Sequence, residues 1–267
     1  MNKTPEKDII VFHNKNHIPY IKTPHLHSRY EIYYNIRGAK GFMVNGKVYK
    51  CFEKDLIVIP MVETHKVVVK PNCEYERCII NISPFVVQSV EKLCDSDATK
   101  WLKNGVRKTT LTEEEHEMFL ALTEAYNKEE ELLKFSKFLE IMSFLKGVLE
   151  NAKEEELLEN EKLSYTDLAI REIEKSFKSV TVSQIAASLH INEDYITRLF
   201  KEETGLTLKN YITARKIAEA KKHLFLGESV KNACLLSGFK NYSNFIRTFK
   251  KYEGYPPGKL ETLTKPL

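Results

Sequence analysis

The hydrophobic rhythm of the chain changes once, at Thr112. Before that point short apolar and aromatic runs are separated by turn residues. Glu31–Arg37 (EIYYNIR) is aromatic and β-branched, as strands favour. Phe42-Met43-Val44 and Val48-Tyr49 flank Asn45-Gly46. Asn-Gly is a strong hairpin signal, because a type I′ turn needs positive φ at both central positions. Asp55–Ile59 is a short apolar run ended by Pro60, and His65–Val69 and Tyr75–Ile82 follow. Many short strands with close turns predict an antiparallel barrel or sandwich.

After the change the period is helical. Thr112 and Glu115 form a capping-box pattern. One helix is predicted to about Tyr126 and a second from about Glu129 to Ala152. In the second, Leu132, Phe135, Leu139, Met142 and Leu149 share a stripe. Two readings stay open for it: packing on the protein's own β domain, or a seam for a second copy. Residues 153–163 (KEEELLENEKL) are dense in charge and lack aromatics, as a helix end or linker would be. Beyond Ser164 the pattern stays helical to Tyr252, broken at Gly205, Gly227, Gly238 and Gly254.

An internal repeat lies in this last stretch. Arg198-Leu-Phe200-Lys201-Glu-Glu-Thr-Gly205 returns 49 residues later as Arg247-Thr-Phe249-Lys250-Lys-Tyr-Glu-Gly254. Upstream, Ile185-Ala186, Leu189, Ile191 and Asn192 answer to Ala233-Cys234, Ser237, Phe239 and Asn241, with one extra residue in the second turn. Each unit reads as a short helix, a tight turn and a longer helix. The small residue (Ala186, Cys234) lets the helices approach. The apolar turn residue (Ile191, Phe239) plugs the gap, and the asparagine caps the second helix. Ile196, Leu199 and Phe200 form the predicted buried face of the first long helix. Phe245, Phe249 and Tyr252 form that of the second. Asp194, Thr197, Arg198 and Lys201 lie opposite in the first unit, and Ser243, Asn244 and Arg247 in the second. Such side chains reach base edges in the major groove. Ile246 sits at the boundary of the two faces, where it either packs or touches a thymine methyl. Leu208–Leu224 reads as one connecting helix. Its Lys209, Arg215, Lys216 and Lys222, with Lys250 and Lys251, suit phosphates. The alternative is a plain helical bundle with solvated polar faces. Two units in register with arginine in the same place favour DNA.

Charge follows the same division. From Ser164 onward there are 17 Lys and Arg against 11 Asp and Glu, although the whole chain carries only +4. A basic C-terminal part suits a polyanion. At 267 residues the chain has room for two domains. No apolar run approaches the roughly 18 residues of a membrane span, and MNKTPEKDII has no secretory h-region. Cys51, Cys73, Cys78, Cys94 and Cys234 form no C-x-x-C pair. That odd, scattered set suits reduced thiols, and the expected location is the cytoplasm.

Residues 164–260 resemble the DNA-binding domain of the AraC/XylS family of bacterial transcription regulators. The carrying residues are Ile185-Ala186, Tyr195–Lys201 (YITRLFK), Gly205, Arg215, Ala220, Gly238-Phe239, Phe245, Arg247, Phe249-Lys250, Gly254 and Pro256-Pro257. The resemblance implies a seven-helix domain whose two helix-turn-helix units enter adjacent major-groove segments. Ile246 departs from the usual small polar residue and Cys234 from the usual alanine. Asp194 places an acid on the groove side, where cytosine N4 is a donor.

A second constellation lies in the β part: His25-x-His27-x3-Glu31-x6-Gly38, then Asp55-x4-Pro60-x4-His65. In an extended strand residues 25, 27 and 31 share a face. This resembles the cupin barrel that such regulators carry as a sensor, although Val62 stands where the second motif has glycine. Three readings remain open: a metal-free ligand pocket, a divalent metal site, and structural hydrogen bonding. The ligand pocket is preferred, formed by His25, His27, Glu31, Tyr33 and His65, with no metal, no cofactor and no catalytic residue assigned.

The expected fold is α+β and multidomain. Residues 1–110 form a cupin-like antiparallel β-barrel that senses ligand, 111–155 a helical dimerisation segment and 156–163 a linker. Residues 164–262 form an all-α DNA-binding domain with helix-turn-helix units at about 182–205 and 230–254. The expected function is a ligand-responsive, sequence-specific transcription regulator, an activator acting as a homodimer. Its expected partners are promoter DNA and a small-molecule effector, a sugar being one candidate, with RNA polymerase a further candidate and no membrane. The competing readings are a metal-dependent cupin enzyme fused to a DNA-binding domain, and a DNA binder whose barrel serves only dimerisation.

Overall fold

The computed structural model describes residues 8–16, 27–45, 47–69, 73–94, 96–103, 105–150 and 163–264. The N-terminal strands are β1 (Ile9–Asn16), β2 (Tyr30–Arg37), β3 (Ala39–Val44), β4 (Lys47–Lys50), β5 (Asp55–Ile59), β6 (His65–Val69) and β7 (Tyr75–Ile82). Helix α1 (Pro84–Leu93), a 3₁₀ turn (Ser96–Thr99), α2 (Lys100–Lys103) and β8 (Arg107–Thr110) follow. Then come α3 (Glu113–Lys128) and α4 (Glu131–Glu150). The strands form two antiparallel sheets, in the orders β1-β7-β2-β5-β8 and β4-β3-β6.

Side chains alternate across each strand, and this places the two cores. Tyr33, Ile57, Ile59 and Tyr75 of the larger sheet meet Ala39, Phe42 and Val44 of the smaller one. The opposite face of the larger sheet carries Ile32, Tyr34, Leu56, Val58, Cys78 and Ile80. It packs against Phe119, Phe138, Ile141, Leu145 and Leu149 of α3 and α4. Thr112 caps α3 through the expected reciprocal pair with Glu115. The two-residue Asn45-Gly46 connection joins Val44 and Lys47, which are register partners.

The α4 stripe divides. Met142 and Leu149 are buried in the protein's own core, while Leu132, Phe135 and Leu139 are exposed. The expected linker, apart from Leu163, lies outside the described residues.

The C-terminal part has seven helices among the described residues. They are α5 (Tyr165–Ser176), α6 (Val182–Ser188), α7 (Glu193–Thr204), α8 (Leu208–Phe225), α9 (Val230–Leu236), α10 (Tyr242–Glu253) and α11 (Pro257–Thr264). The repeat recurs in hydrogen bonds. After α6, His190 and Ile191 donate to the carbonyls of Ala187 and Ala186. After α9, Gly238 and Phe239 donate to those of Leu235 and Cys234. His190 and Gly238 both have positive φ, at 55° and 81°. Glycine is needed at the second turn. A Cβ there would stand 2.7 Å from the Lys178 Cα. Asn192 and Asn241 cap α7 and α10, and Gly205 and Gly254 close them in the left-handed conformation.

The two halves touch. On the outer face of the smaller sheet, Met43 and Val48 are buried among Ala169, Ile170, Ile173 and Tyr211. Gln88 of α1 donates to the Phe225 carbonyl.

Candidate DNA-reading surface and sensor site

The recognition helices show how an amphipathic pattern becomes a surface. Ile196 and Phe200 in α7, and Phe245 and Phe249 in α10, are fully buried. Leu199 and Tyr252, expected beside them, are half-buried. The opposite faces are open: Asp194, Arg198 and Lys201 on α7, and Ser243, Asn244, Arg247, Lys250 and Lys251 on α10, are exposed, with Thr197 half-buried. Arg247 Nη2 donates to Asn244 Oδ1 at 3.1 Å. Arg198 lies 4.0 Å from Glu202, with its side chain 71% exposed. Two aromatics that the pattern analysis did not assign to this surface, Tyr195 and Tyr242, are also exposed on these helices. For Tyr195 the available signal was Arg198 three residues on, on the same helix face.

The connecting helix α8 corrects one expectation. Lys209 is exposed, whereas Arg215 is buried and is no phosphate ligand in this structure. Its Nε donates to Glu174 and its Nη1 to Glu219, both at 2.8 Å. Its guanidinium stacks 4.1 Å from the Phe177 ring centre. A planar donor fork with two carboxylates has all its charge matched internally. Lys216 is half-buried and donates to the Gly238 carbonyl at 3.2 Å. Burial, with Lys240 nearby, lowers its pKa.

Ile246 is half-buried against the core of the second unit. We expect Ile246→Ser to lower the melting temperature, at a cost of about 1–2 kcal/mol from lost apolar burial. All DNA sequences should be bound more weakly alike. Melting curves beside binding-site selection check this. Unchanged melting with relaxed preference at one base pair would restore the thymine contact.

In the N-terminal part the structure brings together three of the five expected ligand residues. His27 stands just before β2, Glu31 on β2 and His65 at the start of β6. Their candidate donor atoms all lie within 4.8 Å of one another. His27 Nε2 is 2.9 Å from Glu31 Oε2, and His65 Nε2 is 3.5 Å from Glu31 Oε1. Each Nδ1 sits against a backbone carbonyl: Arg29 at 3.2 Å for His27, and Glu63 at 2.8 Å for His65. That arrangement directs both Nε2 atoms at the carboxylate. Val62 supports the entry to this group. It is buried with φ 72°, a strained conformation for a β-branched residue, and its N–H donates to the His27 carbonyl at 3.0 Å. Tyr33 shares the interior face with Glu31, but its hydroxyl pairs with that of Tyr75 at 3.1 Å and its ring packs on Phe42. The structure does not bring it into the group. His25 lies outside the described residues.

A family model described as the AraC-like ligand binding domain matches residues 8–163. The chain belongs to the AraC family. A second model, a helix-turn-helix domain, matches residues 185–262 of this AraC-family protein. Among curated proteins, the uncharacterized HTH-type transcriptional regulator YtdP of Bacillus subtilis is 37% identical over 95 residues, 35% of this chain and 12% of that protein. The melibiose operon regulatory protein of Escherichia coli is 30% identical over 89 residues, 33% of this chain and 30% of that protein. The matches thus span less than a third of these relatives. Among solved structures, a ToxT variant from Vibrio cholerae aligns over 98% of this chain and 100% of its own, at 12% identity and a TM-score of 0.45.

In this AraC-family protein the electrostatics of the His27–Glu31–His65 group give a pH dependence. Burial raises the Glu31 carboxyl, but His65 and His27 outweigh it and hold it well below the carboxylate range. Burial lowers the His65 imidazole, but Glu31 outweighs it and raises it above 6.5. The raised histidine contributes stability that is complete below about 6.5 and is lost as pH rises through the raised value. The depressed carboxylate contributes stability that is complete above about 4.5 and is lost as pH falls through the depressed value. The pair is strongest between those limits. With chelator present, the melting temperature should fall from pH 6 to pH 9, and His65→Gln should flatten that slope. An identical slope in the variant would remove the pair as its source.

Proposed function

We propose that this protein is a ligand-responsive transcription regulator that binds promoter DNA through both helix-turn-helix units. The observation that carries the reading is the duplicated geometry. Two recognition helices have the same caps and turn hydrogen bonds, and each presents an exposed arginine, Arg198 or Arg247, opposite a buried phenylalanine pair or its equivalent. Residues 1–110 serve as the sensor and 164–262 as the DNA-binding domain. The small polar effector, for which a sugar is the first candidate, is held by His27, Glu31 and His65. Catalysis is not part of this role. Among the described residues no helix is long and apolar enough to cross a membrane, in keeping with action in the cytoplasm. The exposed Leu132, Phe135 and Leu139 on α4 form the homodimer seam, and RNA polymerase is the partner through which activation proceeds. Melting the protein against a panel of sugars and organic acids, with His27→Ala as control, tests the sensor role. Stabilisation by one compound that the variant loses supports it. No stabilisation by any compound tells against it.

A second reading has its own observation. Two imidazoles with Nδ1 fixed by carbonyls and one carboxylate form a donor set that suits a divalent cation. Iron, manganese or zinc at one per chain in tag-free protein, lost in His27→Ala, would favour a metal-dependent sensor or enzyme.

A further inference from the structure

Four consecutive residues, Glu63 to Lys66, face two ways. His65 points inward, opposite Val44 in the register, with its ring stacked on Phe42, and belongs to the sensor group. Its neighbours Thr64 and Lys66 lie on the other face, because side chains alternate along an extended strand. Both reach the C-terminal domain. Thr64 Oγ1 donates to Glu174 Oε1 at 3.0 Å and accepts from the Tyr211 hydroxyl at 2.7 Å. Lys66 pairs with Asp167, which also closes the capping box of α5. Beyond Thr64 the chain of polar contacts continues through Glu174 to Arg215 and Glu219. Thr64 and Tyr211 are essentially inaccessible to solvent.

We propose that this segment is a two-sided connection: a change at the His27–Glu31–His65 group shifts β6 and alters how firmly the DNA-binding domain is docked on the sensor domain. The proposal rests on the reading of that group as the effector site.

The mechanism needs no long pathway. His65 is held on one side by the Glu63 carbonyl and on the other by Glu31. Thr64 is tied to the β3–β4 turn, its N–H donating to Asn45 Oδ1 at 2.9 Å and its carbonyl accepting from the Asn45 N–H at 2.7 Å. An occupant that draws His65 from its position moves a strand whose next residue on each side is a domain contact. Buried polar groups do not tolerate partial separation. Thr64, Tyr211 and Glu174 either keep their shared hydrogen bonds or the interface opens to water. Two discrete arrangements follow, and an effector shifts their balance by its differential affinity.

The test is hydrogen–deuterium exchange on the full chain, for wild type, Glu31→Gln, Thr64→Val and the double variant. Glu31→Gln removes charge at the sensor group without touching the interface. It should speed exchange in α5 and the first half of α8 by about fivefold, through weaker docking. Thr64→Val should do the same, and the double variant should exchange no faster than Thr64→Val alone. An effect of Glu31→Gln confined to the sensor strands, or two effects that simply multiply, would overturn the connection. If Glu31→Gln lacks a cooperative melt, His27→Gln and Lys66→Ala take the two places, with the same expectations. The assay needs no ligand, so the two readings fail separately. Coupling without a stabilising compound keeps the connection and removes the effector site. A bound compound without coupling does the reverse.

Discussion

Arg215→Ala should destabilise the protein by about 3–5 kcal/mol, the cost of breaking a buried ion pair from one side. Arg215 is 8% exposed. Its removal leaves Glu174 and Glu219 facing each other with no cation between them. Burial already raises the Glu174 carboxyl, against the pull of Arg215, so the site has little tolerance for a second loss. The cation–π stacking on Phe177 disappears as well. Arg215→Lys should recover only a fraction, because one ammonium cannot span two carboxylates as a planar fork does. Urea unfolding of the full chain checks this. Lys209→Ala, at an exposed position of the same helix, should leave stability unchanged. Unaltered stability of Arg215→Ala with lost DNA affinity would return the residue to the phosphate surface.

The second large effect is on binding. Arg198→Ala and Arg247→Ala should each weaken a cognate DNA fragment by about 1–3 kcal/mol, or roughly 5- to 150-fold. Neither should change the melting temperature, since both side chains are exposed. A base contact predicts loss only on cognate sequence, while a phosphate contact predicts a uniform loss with a shallower salt dependence. Lys201→Ala and Lys250→Ala should behave in the second way. Gel-shift titrations at two salt concentrations separate the cases. Wild-type affinity in both arginine variants would remove α7 and α10 from the groove.

What could be read before the fold was seen follows from how local the forces are. The helix-turn-helix units were legible because their determinants lie within a few residues. Asn192 and Asn241 cap the next helix, and Gly238 answers a positive φ beside Lys178. The short aromatic and β-branched strands and the Asn45-Gly46 turn were legible for the same reason. Partners distant in sequence were not. Arg215 shares a helix with Lys209, Lys216 and Lys222, and its one local mark, Glu219 four residues on, does not tell a buried pair from an exposed one. Its fate is set by Glu174, which is 41 residues away. The α4 stripe could not be divided by periodicity, because a helical pattern shows that a face is apolar and not what covers each turn of it. Strand β8 (RKTT) was missed because it is short and polar, as edge strands are. Of the five candidate ligand residues, the spacing named His27, Glu31 and His65, which the structure brings together. It could not show that Tyr33 pairs with Tyr75, nor that Thr64 faces Tyr211 across a domain boundary.

One chain is expected to read two DNA segments through two equivalent helices. Selection of binding sites from a random DNA pool tests it most directly, run in parallel for wild type, Arg198→Ala and Arg247→Ala. Wild type should enrich a site with two conserved segments about one helical turn, or roughly 10 base pairs, apart. Arg198→Ala should relax one segment and Arg247→Ala the other. Enrichment of a single segment, or relaxation of the same segment in both variants, would contradict it.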